Sequence, residues 1–233
     1  MKLSQKRAIE FIEKNGMLLV FPKNNQKEPL SLWSEFFPKS KMKWEWDDDG
    51  DDRVAQMWGL MKKLSSGSHV VYSKWYQGRA TFFSRELFTA FLAERLQMER
   101  LKMLKQLSRE AFDILKLLED NSPLSTRVIK KEVGLQGKRL ESLYSKAMQE
   151  LFCRLDVVAF GEVDDGAFPS LAIGATALLF EDLLKDAGKM SDLEIQKTLA
   201  KFLPNGSAWQ KEWNRHLLRM CTGGGKTALS LKG

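Results

Sequence analysis

Leu155-Asp156-Val157-Val158-Ala159-Phe160-Gly161, then Asp164-Asp165-Gly166, then Phe168 to Ile173, closes a run that begins at Ser108. Apolar and β-branched residues on both sides of an Asp-Gly turn predict an antiparallel hairpin. Three helical patterns precede it. Ser108 caps the first, with Ala111, Phe112, Leu115 and Leu118 facing inward. Asn121-Ser122-Pro123 stops it, because proline has no amide to donate and clashes with a preceding helical turn. Ser125 caps the second, with Val128, Ile129 and Val133 inward and Gly134 as its stop. The third spans Gly137 to Arg154. Leu140, Leu143, Tyr144, Ala147, Met148, Leu151 and Phe152 recur there at three- and four-residue steps. Three helices followed by a hairpin is the element order of a winged helix.

In helix-turn-helix proteins the later helix enters the DNA major groove. The outward positions here are Lys138, Glu141, Ser142, Ser145, Lys146 and Gln149. Their hydrogen-bonding groups suit base and phosphate contact, and they equally suit an ordinary solvated helix face. Ser108 to Phe160 holds nine Lys/Arg and eight Asp/Glu, so this unit is almost neutral. Leu60 to Leu107 holds nine Lys/Arg and three Asp/Glu, a local charge of +6 in a chain of net charge +7. A basic balance favours an acidic partner such as nucleic acid. Lys74, Arg79, Arg85 and Arg95 are the expected backbone contacts, with Lys138, Ser142, Ser145, Lys146 and Gln149 expected to add orientation.

Upstream, Asp52 to Ser65 carries an apolar stripe of Val54, Met57, Trp58, Leu60, Met61 and Leu64. His69 to Tyr76 and Arg79 to Phe83 then read as two strands around Gln77-Gly78. A helix followed by a hairpin therefore occurs twice. The expected fold is mainly α with small antiparallel β-hairpins, in a tandem winged-helix architecture plus a C-terminal helical segment. Residues 1–84 form the first unit and 85–107 a connecting helix that continues nearly unbroken to Ser108. Residues 108–176 form the second unit, 177–220 the C-terminal helices, and 221–233 a flexible tail.

Other features point to chemistry that their spacing excludes. Asp47 to Asp52 is rich in carboxylates, yet an EF-hand starting at Asp47 would need glycine where Asp52 stands and glutamate where Trp58 stands. No metal site is expected. Gly223-Gly224-Gly225-Lys226-Thr227 resembles a phosphate loop, but Met220 occupies the position of the first glycine. No cofactor is expected. Cys153 and Cys221 form no zinc or disulfide pattern, and Cys153 is expected as a buried reduced thiol. His69 and His216 are the only histidines, and His216 is expected exposed or half-buried. Five of the seven tryptophans lie in the first third of the chain, where they serve as core or as platforms for unpaired bases. Without an apolar run of membrane length or a leader pattern, a cytoplasmic location is expected, with no membrane partner.

The run Val71 to Ser84 resembles a segment of AlkZ-related proteins, as does Glu150 to Val158 leading into the second hairpin. The likeness covers about residues 10–175. AlkZ-type DNA glycosylases are tandem winged-helix proteins that excise alkylated or crosslinked bases, so the resemblance implies a DNA-binding scaffold linked to DNA repair. Those enzymes position the attacking water with a Gln-x-Gln motif, which this chain lacks. No catalytic residue carries over. A carboxylate between Asp47 and Asp52 is one conceivable substitute. The leading expectation is a duplex-DNA-binding protein. The alternatives are a glycosylase with altered catalytic residues and a protein-interaction module without DNA.

Overall fold

Residues 3–43, 52–163 and 170–221 are described in this computed structural model. Ser4 accepts from the Arg7 amide and opens α1 (Gln5–Asn15). Gly16 ends that helix at φ +75°, and a Cβ there would lie 2.4 Å from the Phe202 ring. The chain then enters β1 (Met17–Leu19), and Ser31 caps α2 (Leu32–Phe36). In α3 (Asp52–Ser65), Asp52 sits in the first turn and Lys62 and Lys63 in the last, where the helix dipole favours each sign. The first hairpin is β2 (Val71–Tyr76) and β3 (Arg79–Phe83). Its two loop residues, Gln77 and Gly78, have φ of +51° and +73°. A two-residue turn with both φ positive matches the twist of the paired strands.

Ser84 caps α4 (Arg85–Arg100) and Ser108 caps α5 (Arg109–Asp120). β4 (Leu124–Ser125) leads into α6 (Thr126–Glu132), capped by Ser125, and then α7 (Glu141–Cys153). β5 (Val157–Val163) and β6 (Ser170–Ala175) form the second antiparallel hairpin. Its expected turn, Asp164 to Gly166, lies outside the described residues. Next come α8 (Thr176–Leu179), α9 (Glu181–Ala187), α10 (Asp192–Phe202) and α11 (Ala208–Met220). The fold is mainly α with one small antiparallel sheet.

The two hairpins lie side by side in one sheet. They join into a six-stranded sheet of order β1-β3-β2-β5-β6-β4, with Tyr72 paired to Ala159 across the seam. Helices cover both faces, so alternate strand residues enter two different cores. Leu18, Tyr72, Phe82, Ala159 and Ile173 pack with α1, α2, α3, α5 and most of α7. Met17, Leu19, Val71, Trp75, Phe83 and Val158 pack with α4, α9, α10 and α11. Burial on both faces explains why these strands read as apolar runs rather than clean alternations.

Several local expectations change. The connecting helix ends at Arg100, where Leu101 caps it and Lys102 takes φ +55°, so it does not run on to Ser108. Leu104 instead bridges to Cys221. The helix predicted from Gly137 begins at Glu141. Phe112 is 56 % exposed and Leu143 39 %, because the inward stripes of α5 and α7 are narrower than their apolar content. His216 is buried, not exposed, since its ring stacks on Trp75 at 4.5 Å.

Candidate nucleic-acid interface

Helix α7 shows water the face its periodicity predicts. Tyr144, Ala147, Met148, Leu151 and Phe152 are buried, while Ser142, Ser145, Lys146 and Gln149 are exposed. Helix α11 packs beside it. Between them lies a hollow of about 320 Å³ lined by Lys105, Lys146, Gln149, Glu150, Cys153, Arg154, Arg219 and Met220. A second hollow, of about 240 Å³, is lined by Lys74, Trp75, Gln77, Gly78, Gln149, Phe152, Glu212, Arg215, His216 and Arg219. Gln149 and Arg219 line both, so the two adjoin.

Six cations meet along this double hollow: Lys74, Lys105, Lys146, Arg154, Arg215 and Arg219. Both carboxylates that share it are already engaged. Glu150 accepts from the Ser108 hydroxyl at 2.7 Å and from the Ser108 amide at 3.3 Å. Glu212 accepts from Arg215, from Gln77 Nε2 at 3.2 Å and from His216 Nε2 at 3.1 Å. Arg154 is turned inward by Asp156 at 3.0 Å and by the Lys105 carbonyl at 2.8 Å. Lys105, Lys146 and Arg219 have no ion pair among the described residues, which leaves three charges available to an anion.

Lys74 reaches the hollow because of a strand irregularity. Ser73 pairs with Thr81 and Tyr76 with Arg79, so Lys74 and Trp75 face a single opposing residue. Such a bulge re-aims side chains locally. Lys74 is half-buried, with its ammonium 6.0 Å from the Tyr72 ring centroid. Burial pushes its pKa down and the nearby Glu162 carboxylate works the other way.

The second hollow contains a compact polar cluster. Gln77 is fixed at positive φ, a conformation that a non-glycine residue adopts rarely. Its side-chain oxygen accepts from Lys23 Nζ at 2.9 Å while its nitrogen donates to Glu212. Burial acts to raise the pKa of Glu212. The donors His216 and Gln77 and the charge of Arg215 outweigh it and hold the carboxyl below the usual glutamate range. Cys153, at the floor of the first hollow, has its thiol pushed up to about 12 by burial, so it is neutral near pH 7 and no nucleophile.

The cations singled out from sequence divide. Lys74 lies in the double hollow, while exposed Arg79 is not among its lining residues and acts with Arg215 on the Tyr76 hydroxyl. Arg85 is held elsewhere by Asp182 and by the Ser68 carbonyl at 2.7 Å. Arg95 is half-buried and paired with Asp156. Lys138 sits before α7, in a separate hollow with Thr126, Arg127, Lys130 and Glu141. Arg215, Arg219, Glu212 and His216 were not anticipated as site residues. Their i, i+4 spacing on α11 is visible in the sequence, but nothing there places α11 against α7.

The family model described as AlkZ related matches residues 3–208. The chain belongs to the AlkZ-related family. No curated protein and no solved structure matches this AlkZ-related chain. The match begins before α1 and ends at the start of α11, so it spans the whole sheet and both hairpins. The part of α11 that supplies Glu212, Arg215, His216 and Arg219 lies beyond it. Among the described residues there is no cluster of His, Cys, Asp and Glu fit to hold a metal ion, and no helix is long and apolar enough to cross a membrane.

Proposed function

We propose that this chain binds duplex DNA in a sequence-tolerant way and acts in DNA repair, using the α7–α11 face as its phosphate contact. The carrying observation is the convergence of Lys74, Lys105, Lys146 and Arg219 on one double hollow with both neighbouring carboxylates already bonded. Cations that face phosphates release counterions, which supplies most of the affinity in non-specific binding. Ser142, Ser145 and Gln149 continue along the same helix as neutral groups able to orient the duplex. In this reading the two helix–hairpin units act as tandem winged helices and α7 is the recognition helix. Arg79 and Lys138 contact flanking phosphates. Arg85 and Arg95 support the scaffold through their ion pairs. Fluorescence anisotropy with a labelled duplex tests the proposal. The triple variant Lys105→Ala, Lys146→Ala, Arg219→Ala should bind much more weakly than wild type, and unchanged binding would overturn it.

One observation favours a second reading, base excision with altered chemistry. Glu212 is a buried, ionised carboxylate in the second half of the cationic double hollow. Such a group stabilises a developing cation. Among the described residues Glu212 is the carboxylate that lines this hollow, Asp52 is exposed in the first turn of α3, and Asp47 to Asp51 lie outside the described residues. Incubation with alkylated duplex and chromatography of released bases is the assay. Release by wild type that is lost in Glu212→Gln, with DNA affinity kept, supports excision. No release leaves DNA binding alone as the activity.

A further inference from the structure

Helix α11 has two working flanks. Glu212, Arg215, His216 and Arg219 line the cationic hollows. Trp213, Asn214, Leu217, Leu218 and Cys221 line a different depression, bounded also by α4 and α10. That depression is the larger, about 560 Å³, within the usual range of ligand-binding clefts. Its floor is apolar and buried, built from Met98, Ile195, Leu199, Leu203 and Trp213.

Two properties define what would fill it. The first is length. α4 contributes from Glu94 to Leu101, α10 from Asp192 to Ala200, and α11 from Gln210 to Leu218, each at three- and four-residue steps. Two turns or more of each wall make a trough of roughly 10–12 Å at 1.5 Å per residue. A trough of that length, walled by helices, suits another helix laid along it. Leu101 (70 % exposed) and Leu218 (45 %) add apolar rims that such a helix would cover. The second is charge. The lining holds two carboxylates, Glu94 and Asp192, several carboxamides, and no Lys, Arg or His. In a chain of net charge +7 this is a local reversal of sign. Glu94 is buried and accepts from Trp213 Nε1 at 2.8 Å, while Asp192 accepts from Gln97 Nε2 at 2.6 Å.

We infer that the α4–α10–α11 trough docks an amphipathic helix of a partner protein, one that presents apolar side chains one turn apart with lysine or arginine beside them. The apolar residues occupy the floor over Leu199 and Trp213, and the cation meets Asp192 at the rim. The site does not depend on the DNA proposal, and the DNA-contacting side chains stay uncovered when it is filled.

The probe is a fluorescein-labelled synthetic helix of about 16 residues, with leucine at i, i+4, i+7 and i+11 and lysine beside each leucine. A matched peptide carries glutamate at every lysine position, and a third carries glutamine. Anisotropy on the full chain should show the lysine peptide binding about tenfold more tightly than the glutamate peptide, one decade in Kd. Ala200→Arg, at an exposed position in the trough wall, should abolish binding while leaving the melting curve and duplex-DNA affinity unchanged. Asp192→Asn should weaken the lysine peptide and spare the glutamine one. Equal affinity for the lysine and glutamate peptides would overturn the inference, as would binding that survives Ala200→Arg, or no binding at all. Two further results would replace the occupant. One is saturation by a small alkylammonium ion with no peptide binding. The other is self-association of the chain that Ala200→Arg abolishes.

Discussion

Replacing Asp156 by asparagine should destabilise this protein more than any surface charge change, and the reason lies in a buried triad. Asp156 accepts from Arg95 on α4 and from Arg154 at the end of α7, and the three side chains are 7 %, 12 % and 12 % exposed. The asparagine keeps the shape and removes the charge. Two guanidinium groups then remain nearly out of water and lose the carboxylate that both of them bond. Breaking a buried pair from one side costs about 3–5 kcal/mol, and the lower end applies because both arginines keep a thin edge to solvent. At about 2–4 °C per kcal/mol for a chain of this size, the melting temperature should fall by about 6–12 °C. Urea titration followed by circular dichroism gives the free energy directly. Arg95→Met should cost less than half as much, since Asp156 keeps Arg154. An Asp156→Asn variant within about 0.5 kcal/mol of wild type, the range of ordinary surface substitutions, would refute the triad's role.

Gly16→Ala should lose about 2 kcal/mol or more in the same titration, because φ of +75° disfavours any Cβ and the added carbon would press on the Phe202 ring. Thiol titration with a disulfide reagent near pH 8 should find Cys221 reacting first and Cys153 only on unfolding, given its thiol pushed up to about 12. Glu212 is held below its ordinary value of 4.5, so its contribution to stability is full above that pH and fades as pH falls through the depressed value. Stability measured against pH should therefore drop less steeply below pH 4.5 in Glu212→Gln than in wild type.

Local signals carried the helix starts well. Ser108 and Ser125, read as caps, each accept from an amide three residues on, as short-range cap chemistry requires. Both hairpins were legible for a similar reason, since Gln77-Gly78 and the apolar runs around it are contiguous in sequence. What stayed hidden depends on contacts across the chain. The pairing of Tyr72 with Ala159 merges the hairpins into one sheet, and no local pattern encodes a pairing 87 positions apart. The site divided along the same line. The outer face of α7 follows from its own period. The fate of Arg95 depends on Asp156, and the arrival of Arg215 and Arg219 depends on how α11 packs. Summing charge by sequence segment placed the positive potential on the first hairpin and the helix after it. In three dimensions part of that charge is neutralised by Asp156 and Asp182, while α11 brings new charge to the face of α7.

The salt dependence of duplex binding tests the central claim most directly. Each lost phosphate contact should flatten the plot of log affinity against log salt by about 0.9. Lys105, Lys146 and Arg219 changed together to alanine should therefore flatten it by about 2.7 and weaken binding most at low salt. Arg85→Ala, whose charge Asp182 already meets, should leave the slope unchanged. A triple variant with the wild-type slope, or a slope that responds to Arg85 instead, would contradict the assignment of the α7–α11 face as the DNA contact.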